Sequence, residues 1–140
     1  MAISLFNGKY RFLSNFYPCT IEFEGITYPS TEHAYQAAKT TNDIIRKRMS
    51  HLHSPGEAKR EGNKVTLRPD WEAVKDNIML TLLRIKFKIP ELKTKLIDTG
   101  EEELIEGNYW GDRYWGVCGG TGKNMLGKLL MQVRNEINKN

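Results

Sequence analysis

Between Pro29 and Gly100 the chain carries five consecutive sets of helix start and stop signals, and this punctuation constrains the fold more than any other feature. Ser30 or Thr31 can cap a helix running to about Lys39. A second short helix is expected from Asp43 to about Met49. Ser54-Pro55 sets a cap and a first-turn proline before a third, which ends near Gly62. Asp70 can cap the longest helix, Trp71 to about Phe87. There Trp71, Val74, Ile78, Met79, Leu82 and Leu83 keep the i, i+3/i+4 rhythm of one buried face. Pro90 opens a further helix and Gly100 closes it.

Extended structure flanks this helical middle. Thr20 to Tyr28 alternates with period two around Glu24-Gly25, a hairpin turn, and Pro29 is expected to end the second strand. Glu103 to Val117 reads as irregular with short strands. A last helix follows Gly119-Gly120-Thr121-Gly122, with Leu126, Leu129, Leu130, Val133 and Ile137 as its buried stripe. Helices outnumber strands, so the expected class is α+β: a single compact, mostly helical domain over residues 1–140 with a small antiparallel sheet.

At 140 residues a single domain can bury roughly two-thirds of its unfolded surface without staples. No apolar run could span a bilayer, so no membrane partner is expected. The first residues, MAISLFNGKYRF, lack the layout of a secretory signal, which makes a cytoplasmic address the default. Cys19 and Cys118 form no CxxC and read as reduced thiols. His33, His51 and His53 build no HExxH or zinc spacing, so no metal is expected. The net charge of +4 has a local origin: Ile44 to Arg68 holds Arg46, Lys47, Arg48, Lys59, Arg60, Lys64 and Arg68 against Glu57 and Glu61. Such a stretch is either an anion-facing surface or a solvated helical face.

Four segments carry polar and aromatic residues that core packing does not require. Phe12 to Pro18, FLSNFYP, sets aromatics around Ser14-Asn15, which suits a planar heterocycle or a turn packed on the core. In PSTEHAYQAAK, Glu32, Gln36 and Lys39 share one helix face, beside small Ala34, Ala37 and Ala38. Glu32 and Lys39 differ by about 10 Å of rise, so they suit two depths of one pocket better than a direct pair. The plainer explanation is that both complement the helix dipole. Asn108 to Trp115, NYWGDRYW, offers Asp112 either to sugar hydroxyls or to an Asx turn. Gly119 to Gly127, GGTGKNMLG, feeds a helix N-terminus and is a natural anion site, yet it is neither a P-loop nor GxGxxG. Classic ATP or NAD binding is therefore disfavoured, and the spacings indicate no Ser-His-Asp triad.

The blocks FLSNFYP, PSTEHAYQAAK, LRPDWEAVK, NYWGD and GKNMLGKLLMQVR, in this order from Phe12 to about Arg134, resemble the NADAR (YbiA-like) family. Each is weakly specific alone, and together they make a strong match. The resemblance implies N-glycosidase activity on ribosylated amino-heterocycles. The substrate is then a small ribosyl or ADP-ribosyl compound, such as a phosphoribosylamino-pyrimidine intermediate of riboflavin synthesis, or ADP-ribosylated guanine in nucleic acid. No cofactor is implied, and the oligomeric state is left open. The family glutamate falls on Glu32, the lysine two turns later on Lys39 and the aspartate of W-G-D on Asp112. Asn15 and Phe16 match the family S-N-F, and Trp71 and Trp110 its tryptophans. Gln36 and Asn124 join them as expected substrate contacts, with Arg60, Arg68 and Lys123 for phosphate. The chain departs from some members at Arg113 to Gly119, where they carry a shorter loop bearing glycine and histidine.

In the mechanism that the resemblance suggests, Lys39 forms a Schiff base at C1′ and Glu32 moves protons. Direct hydrolysis with Glu32 or Asp112 activating water is the alternative route. Two rivals come from other classes: a non-catalytic ADP-ribose or NAD binder, and a nucleic-acid-binding module using the Arg46 to Arg68 stretch.

Overall fold

In the computed structural model, which describes residues 2–139, the chain runs β1 (Ala2–Ile3), a 3-10 helix (Gly8–Leu13), β2 (Pro18–Phe23), β3 (Ile26–Ser30), α1 (Thr31–Ala37), α2 (Asp43–Ser50), α3 (Pro55–Gly62), α4 (Trp71–Lys86), α5 (Pro90–Asp98), β4 (Glu103–Leu104), β5 (Gly107–Asn108), β6 (Val117–Cys118) and α6 (Met125–Asn138). The α+β class expected from the punctuation is the class observed. The residues sort into two units, one from Asn15 to Lys86 and one joining the chain up to Ser14 with the chain from Phe87 onward.

In the Asn15–Lys86 unit, β2 and β3 form the expected antiparallel hairpin. Glu24 (φ 50°) and Gly25 (φ 85°) both take positive φ, the geometry of a two-residue type I′ turn. Ile21, Phe23, Ile26, Tyr28 and Ser30 point into the core, and Glu22, Glu24, Thr27 and Pro29 point out. Strand β3 does not stop at Pro29 but continues to Ser30. A proline is tolerated here because each strand of a two-stranded hairpin has a free edge that needs no N–H donor.

Ser30 caps α1, its hydroxyl accepting the His33 backbone N–H at 3.1 Å. The helix ends at Ala37, short of the expected Lys39; Lys39 lies in the turn that follows, its N–H donating to the Gln36 carbonyl at 3.3 Å. All seven residues of α1 are buried, and the helix packs against α2, α3, α4 and both hairpin strands. Asn42 caps α2 through Ile44 and Ile45, and Ser54 caps α3 ahead of Pro55. At α4 the expected cap does not form. Both carboxylate oxygens of Asp70 instead accept from Arg68, at 2.6 and 3.1 Å.

The other unit pairs β1 with β4 and β5 with β6, both parallel. Strands of two residues carry no readable period, so the alternation predicts neither pair. Phe12 meets Phe87 edge-to-face at 6.4 Å, and Leu92, Leu96, Leu104, Leu126, Leu129, Leu130 and Val133 are buried, with Ile137 partly so. The start of α6 is not an open anion site. The Tyr114 and Trp115 carbonyls accept from the N–H groups of Met125 and Leu126 at 3.0 and 2.9 Å, and those of Arg113 and Gly116 accept from Lys123 and Asn124. The loop ahead of the helix thereby satisfies N–H groups that a ligand would otherwise meet. No helix among the described residues is long and apolar enough to cross a membrane.

One member of the basic stretch proves internal. Arg46 is buried, donating from Nε to the Thr40 carbonyl at 2.8 Å and from Nη1 to Glu24 Oε1 at 2.7 Å, which ties α2 to the hairpin turn. Arg46→Met leaves the Thr40 carbonyl without this donor and is expected to lower unfolding free energy by about 1–3 kcal/mol. Lys47→Met, on the exposed face, should stay within about 0.5 kcal/mol, both measured by urea denaturation.

Candidate active site

Glu32 sits in the first turn of α1 and is only 7% exposed. Its carboxylate accepts from Gln36 Nε2 at 2.6 Å, one turn along the same face, and its backbone N–H donates to the Asn15 carbonyl at 3.0 Å. Gln36, which the sequence placed on the Glu32 face, is therefore brought to the carboxylate, and Asn15 meets Glu32 through its backbone carbonyl. Gln36 is held in turn by α3: its side chain occupies the space that a Cβ on Gly62 would need. Asn15 lies against Met79 of α4, Nδ2 to Sδ 3.7 Å.

Lys39 is half-buried just beyond the C-terminal end of α1, with Nζ 6.0 Å from the centre of the Tyr35 ring. Tyr35 packs on Trp71 at 5.2 Å and 55°. Burial pushes the Lys39 pKa down; Glu32 opposes that shift and Lys59 of α3 adds to it. Its carbonyl accepts the Arg68 N–H at 2.7 Å, which anchors the segment before α4 to the end of α1. Glu32 and Lys39 are thus a carboxylate and an amine that feel each other at the two ends of one short helix. Trp71 is buried and offers a wall, not an open stacking face.

The histidine next to Glu32 is structural. His33 Nδ1 lies 2.7 Å from Ser30 Oγ and Nε2 lies 3.0 Å from the Leu52 carbonyl. A carbonyl only accepts, so the proton sits on Nε2 and the Ser30 hydroxyl donates to Nδ1. Burial holds the His33 pKa below its ordinary value, against the opposing pull of the Leu52 carbonyl and Glu57.

The remaining expected residues divide. Phe16 is 42% exposed, and Arg60 is exposed on α3. Arg68 is paired with Asp70, which weakens it as a phosphate ligand. Asp112 makes the Asx turn: Oδ1 accepts from Tyr114 and Trp115 N–H at 3.1 and 2.9 Å. Asn108 ties the same loop from both sides, donating to the Asp112 carbonyl and accepting its N–H. Trp110 is half-exposed against Tyr109, and Lys123 lies 5.3 Å over the Tyr114 ring. The Asn124 amide binds backbone, donating to the Leu104 carbonyl and accepting from Glu106 N–H, both at 2.9 Å. It is held in the left-handed region at φ 53° and serves the fold. Among the described residues no group of three or more His, Cys, Asp or Glu could hold a metal.

The NADAR domain model matches residues 5–138. The chain belongs to the NADAR family. It is 39% identical over 135 residues to the N-glycosidase YbiA of Escherichia coli K12, covering 94% of this chain and 84% of that protein. It is 38% identical over 136 residues to an N-glycosidase of Nostoc punctiforme, covering 91% and 86%. A riboflavin biosynthesis protein of Vibrio vulnificus is 35% identical over 133 residues, 92% of this chain but 36% of that longer one. The NMR structure of E. coli YbiA superposes with a TM-score of 0.85 at 36% identity, over 99% of this chain and 88% of that one. The NADAR fold expected from the five blocks is therefore the fold observed.

Three residues that serve this region escaped sequence reasoning. Gly62 reads as a helix terminator, yet it makes room for Gln36. Lys59 reads as one more charge of the basic stretch, and Lys86 as one residue of the expected Trp71–Phe87 helix. Lys86 is instead wholly buried, its pKa pushed down to about 8 by burial, beneath the Tyr17 ring at 6.0 Å. Its place at i+3 and i+4 from Leu83 and Leu82 was the available signal.

Gly62→Ala should shift Gln36 and, through it, the Glu32 carboxylate. Turnover is expected to fall about ten- to hundredfold with far-UV circular dichroism unchanged. Because the folded-state pKa of His33 is depressed, its contribution to stability is complete above pH 6.5 or so and is lost as pH falls below it. Urea midpoints should drop between pH 7 and pH 5, with a flatter pH slope in His33→Gln.

Proposed function

We propose that this protein hydrolyses the ribose C1′–N bond of a ribosylated amino-heterocycle, with Glu32 as the proton-transfer group and Lys39 as a transient covalent partner. As a member of the NADAR family with curated N-glycosidase relatives, the chain is a hydrolase acting on N-glycosyl bonds, and its substrate is a small ribosyl compound. The finer reading rests on one observation. Lys39 has a lowered pKa and retains access to solvent, and a buried carboxylate of the helix just before it acts on it electrostatically.

Two lysines in this unit have depressed pKa values, and access separates them. Lys86 is sealed in the core with no exposed surface. Lys39 is half-open, so its amine can meet a sugar carbon. A nucleophilic lysine must be neutral when it attacks, and partial burial supplies part of that.

The steps balance as follows. The ribose ring opens by cleavage of C1′–O4′, Glu32 delivering a proton to O4′, and C1′ becomes an imine carbon bonded to the base nitrogen. Lys39 Nζ adds to C1′. The C1′–N bond then breaks with a proton passed through Glu32 to the leaving amine, which leaves a C1′=Nζ iminium. Water adds to C1′, Glu32 takes its proton, and cleavage of C1′–Nζ releases ribose as its aldehyde, which recloses. Phe16 offers a stacking face for the heterocycle, and Arg60 is preferred to the Asp70-paired Arg68 for phosphate. For Asp112 and Trp110 the proposal keeps ribose hydroxyls and the substrate's planar face, in line with the family resemblance, and Lys123 stays a phosphate candidate on its charge.

Both a phosphoribosylamino-pyrimidine and ADP-ribosylated guanine of nucleic acid present this bond, and the riboflavin-biosynthesis name of the Vibrio relative favours assaying the pyrimidine first. A cytoplasmic setting suits either substrate.

Borohydride added during turnover should leave a sugar adduct on the peptide bearing Lys39, detected by mass spectrometry, and Lys39→Ala should abolish it and cut base release about 10²- to 10⁴-fold. The rate should fall as pH drops through the depressed Lys39 pKa, because the protonated amine cannot add to C1′. No adduct, with Lys39→Ala near normal and Glu32→Ala inactive, would replace this route by direct hydrolysis. Binding without base release would indicate a binding module.

A further inference from the structure

We propose that Gln36 is a positioning residue that follows the proton on Glu32: its side-chain amide donates to the carboxylate, and turns over to accept from the carboxylic acid. The inference rests on Glu32 as the proton-transfer group and adds the partner that holds it in both states. It also moves Gln36 from the substrate contact expected from sequence to a support behind the reacting groups.

Gln36 is 4% exposed and lies one turn from Glu32 on α1. Its Nε2 donates to Glu32 Oε2 at 2.6 Å, the short separation of a bond to an ionised acceptor. Its Oε1 is buried and has no hydrogen-bond partner. That oxygen faces Gly62 of α3 and occupies the space that a Cβ there would need. A buried acceptor left without a donor is rare enough to call for a reason.

The two ends of an amide have nearly the same size, so a half-turn about the last side-chain bond exchanges them within one volume. On the Gly62 side such a turn breaks no hydrogen bond, because none holds the oxygen there. The orientation is therefore decided at the other end, by Glu32. A carboxylate only accepts, and it draws Nε2. A carboxylic acid carries an O–H that needs an acceptor when buried, and Oε1 is an acceptor without a donor, one amide turn away. Glu32 is 7% exposed, which leaves little surface for water to take that part.

The reaction uses this property. Glu32 gives a proton to O4′, passes one to the leaving amine and takes one from water, so it moves between its two forms within each turnover. A partner able only to donate would hold back the acid, and one able only to accept would hold back the carboxylate. An amide serves both and keeps the carboxyl group in place while its proton comes and goes.

The other ionisable groups around this pair have separate engagements. At the exit of α1, Lys39 meets Glu32 through charge. His33 is held between Ser30 and Leu52. On α2, Arg46 binds Glu24. On α3, Glu57 acts on His33, Lys59 on Lys39, and Glu61 pairs with Lys64. On α4, Lys75 pairs with Glu72, and Lys86 lies under Tyr17. On the hairpin, burial raises the pKa of the Cys19 thiol and pushes that of the Tyr28 phenol up to about 12, so both are neutral where Glu32 titrates.

The test follows the Gln36 side-chain amide of the wild-type protein by NMR while the Glu32 carboxyl carbon is titrated. Contacts from the Gln36 amide protons to the Gly62 Hα should be absent above the titration and appear below it, with the midpoint of the Glu32 carbon. Gln36→Met, which has similar length but neither donates nor accepts in this way, should lower kcat about ten- to hundredfold with KM and far-UV circular dichroism unchanged. Gly62 contacts that stay the same while Glu32 titrates overturn the inference, and so does a Glu32 that stays ionised throughout the folded pH range. Wild-type kcat in Gln36→Met overturns it too, whether KM is unchanged or raised; a raised KM would make Gln36 a substrate contact. Base release that survives Glu32→Ala instead overturns the proton-transfer role of Glu32, whichever way the Gln36 amide turns.

Discussion

The Asn15–Lys86 unit depends on burying a helix that is polar on several sides. All seven residues of α1 lie inside, and four of them are Thr31, Glu32, His33 and Gln36. A helix buried on every face is ordinarily apolar on every face. Each polar group taken inside costs free energy unless it finds a partner there. The partners come from different places: the hydroxyl of Ser30 in β3, the Asn15 carbonyl ahead of β2 and the Leu52 carbonyl ahead of α3. Because these bonds pull in separate directions, the helix cannot slide or rotate without breaking one of them, and the Glu32 carboxylate inherits that fixity.

The same burial prepares the charges. A low-dielectric surrounding disfavours any ionised group, and it acts on Lys39 and Lys86 alike. What differs is the route to solvent, since α1 stops two residues before Lys39 and leaves that side chain at the helix exit. The small residues of α1 and α3 let the helices approach, so the chemistry of the site is set partly by residues that carry no chemistry at all. Gln36 illustrates the cost: Nε2 is bonded to Glu32, while Oε1 has no hydrogen-bond partner and fills the space left by the missing side chain of Gly62.

In the other unit, most polar side chains of the aromatic loop organise backbone. Asn108 and Asp112 fold the loop on itself, and four successive carbonyls from Arg113 to Gly116 then satisfy the N–H groups around the start of α6. Asn124, in left-handed conformation, completes the junction by binding backbone on both sides of Ile105. A glycine-rich entry to a helix is an anion site only while its N–H groups are open. Here a neighbouring loop reaches them first.

The sequence by itself determined what depends on neighbours within about four residues. Ser30, Asn42 and Ser54 cap the helices that follow them, Glu24-Gly25 turns the hairpin, and the apolar rhythm of α4 and α6 selects the buried face. The placement of Glu32, Gln36 and Lys39 along one segment was legible for the same reason, and the five blocks in order pointed to the family. Tertiary structure alone decided the rest. It turned Arg46 and Lys86 inward, made Gly62 a space for Gln36, and closed the N-terminus of α6. Those outcomes follow from which groups meet across the fold. A charge is solvated, paired or buried according to its surroundings, and no local pattern of residues carries that information.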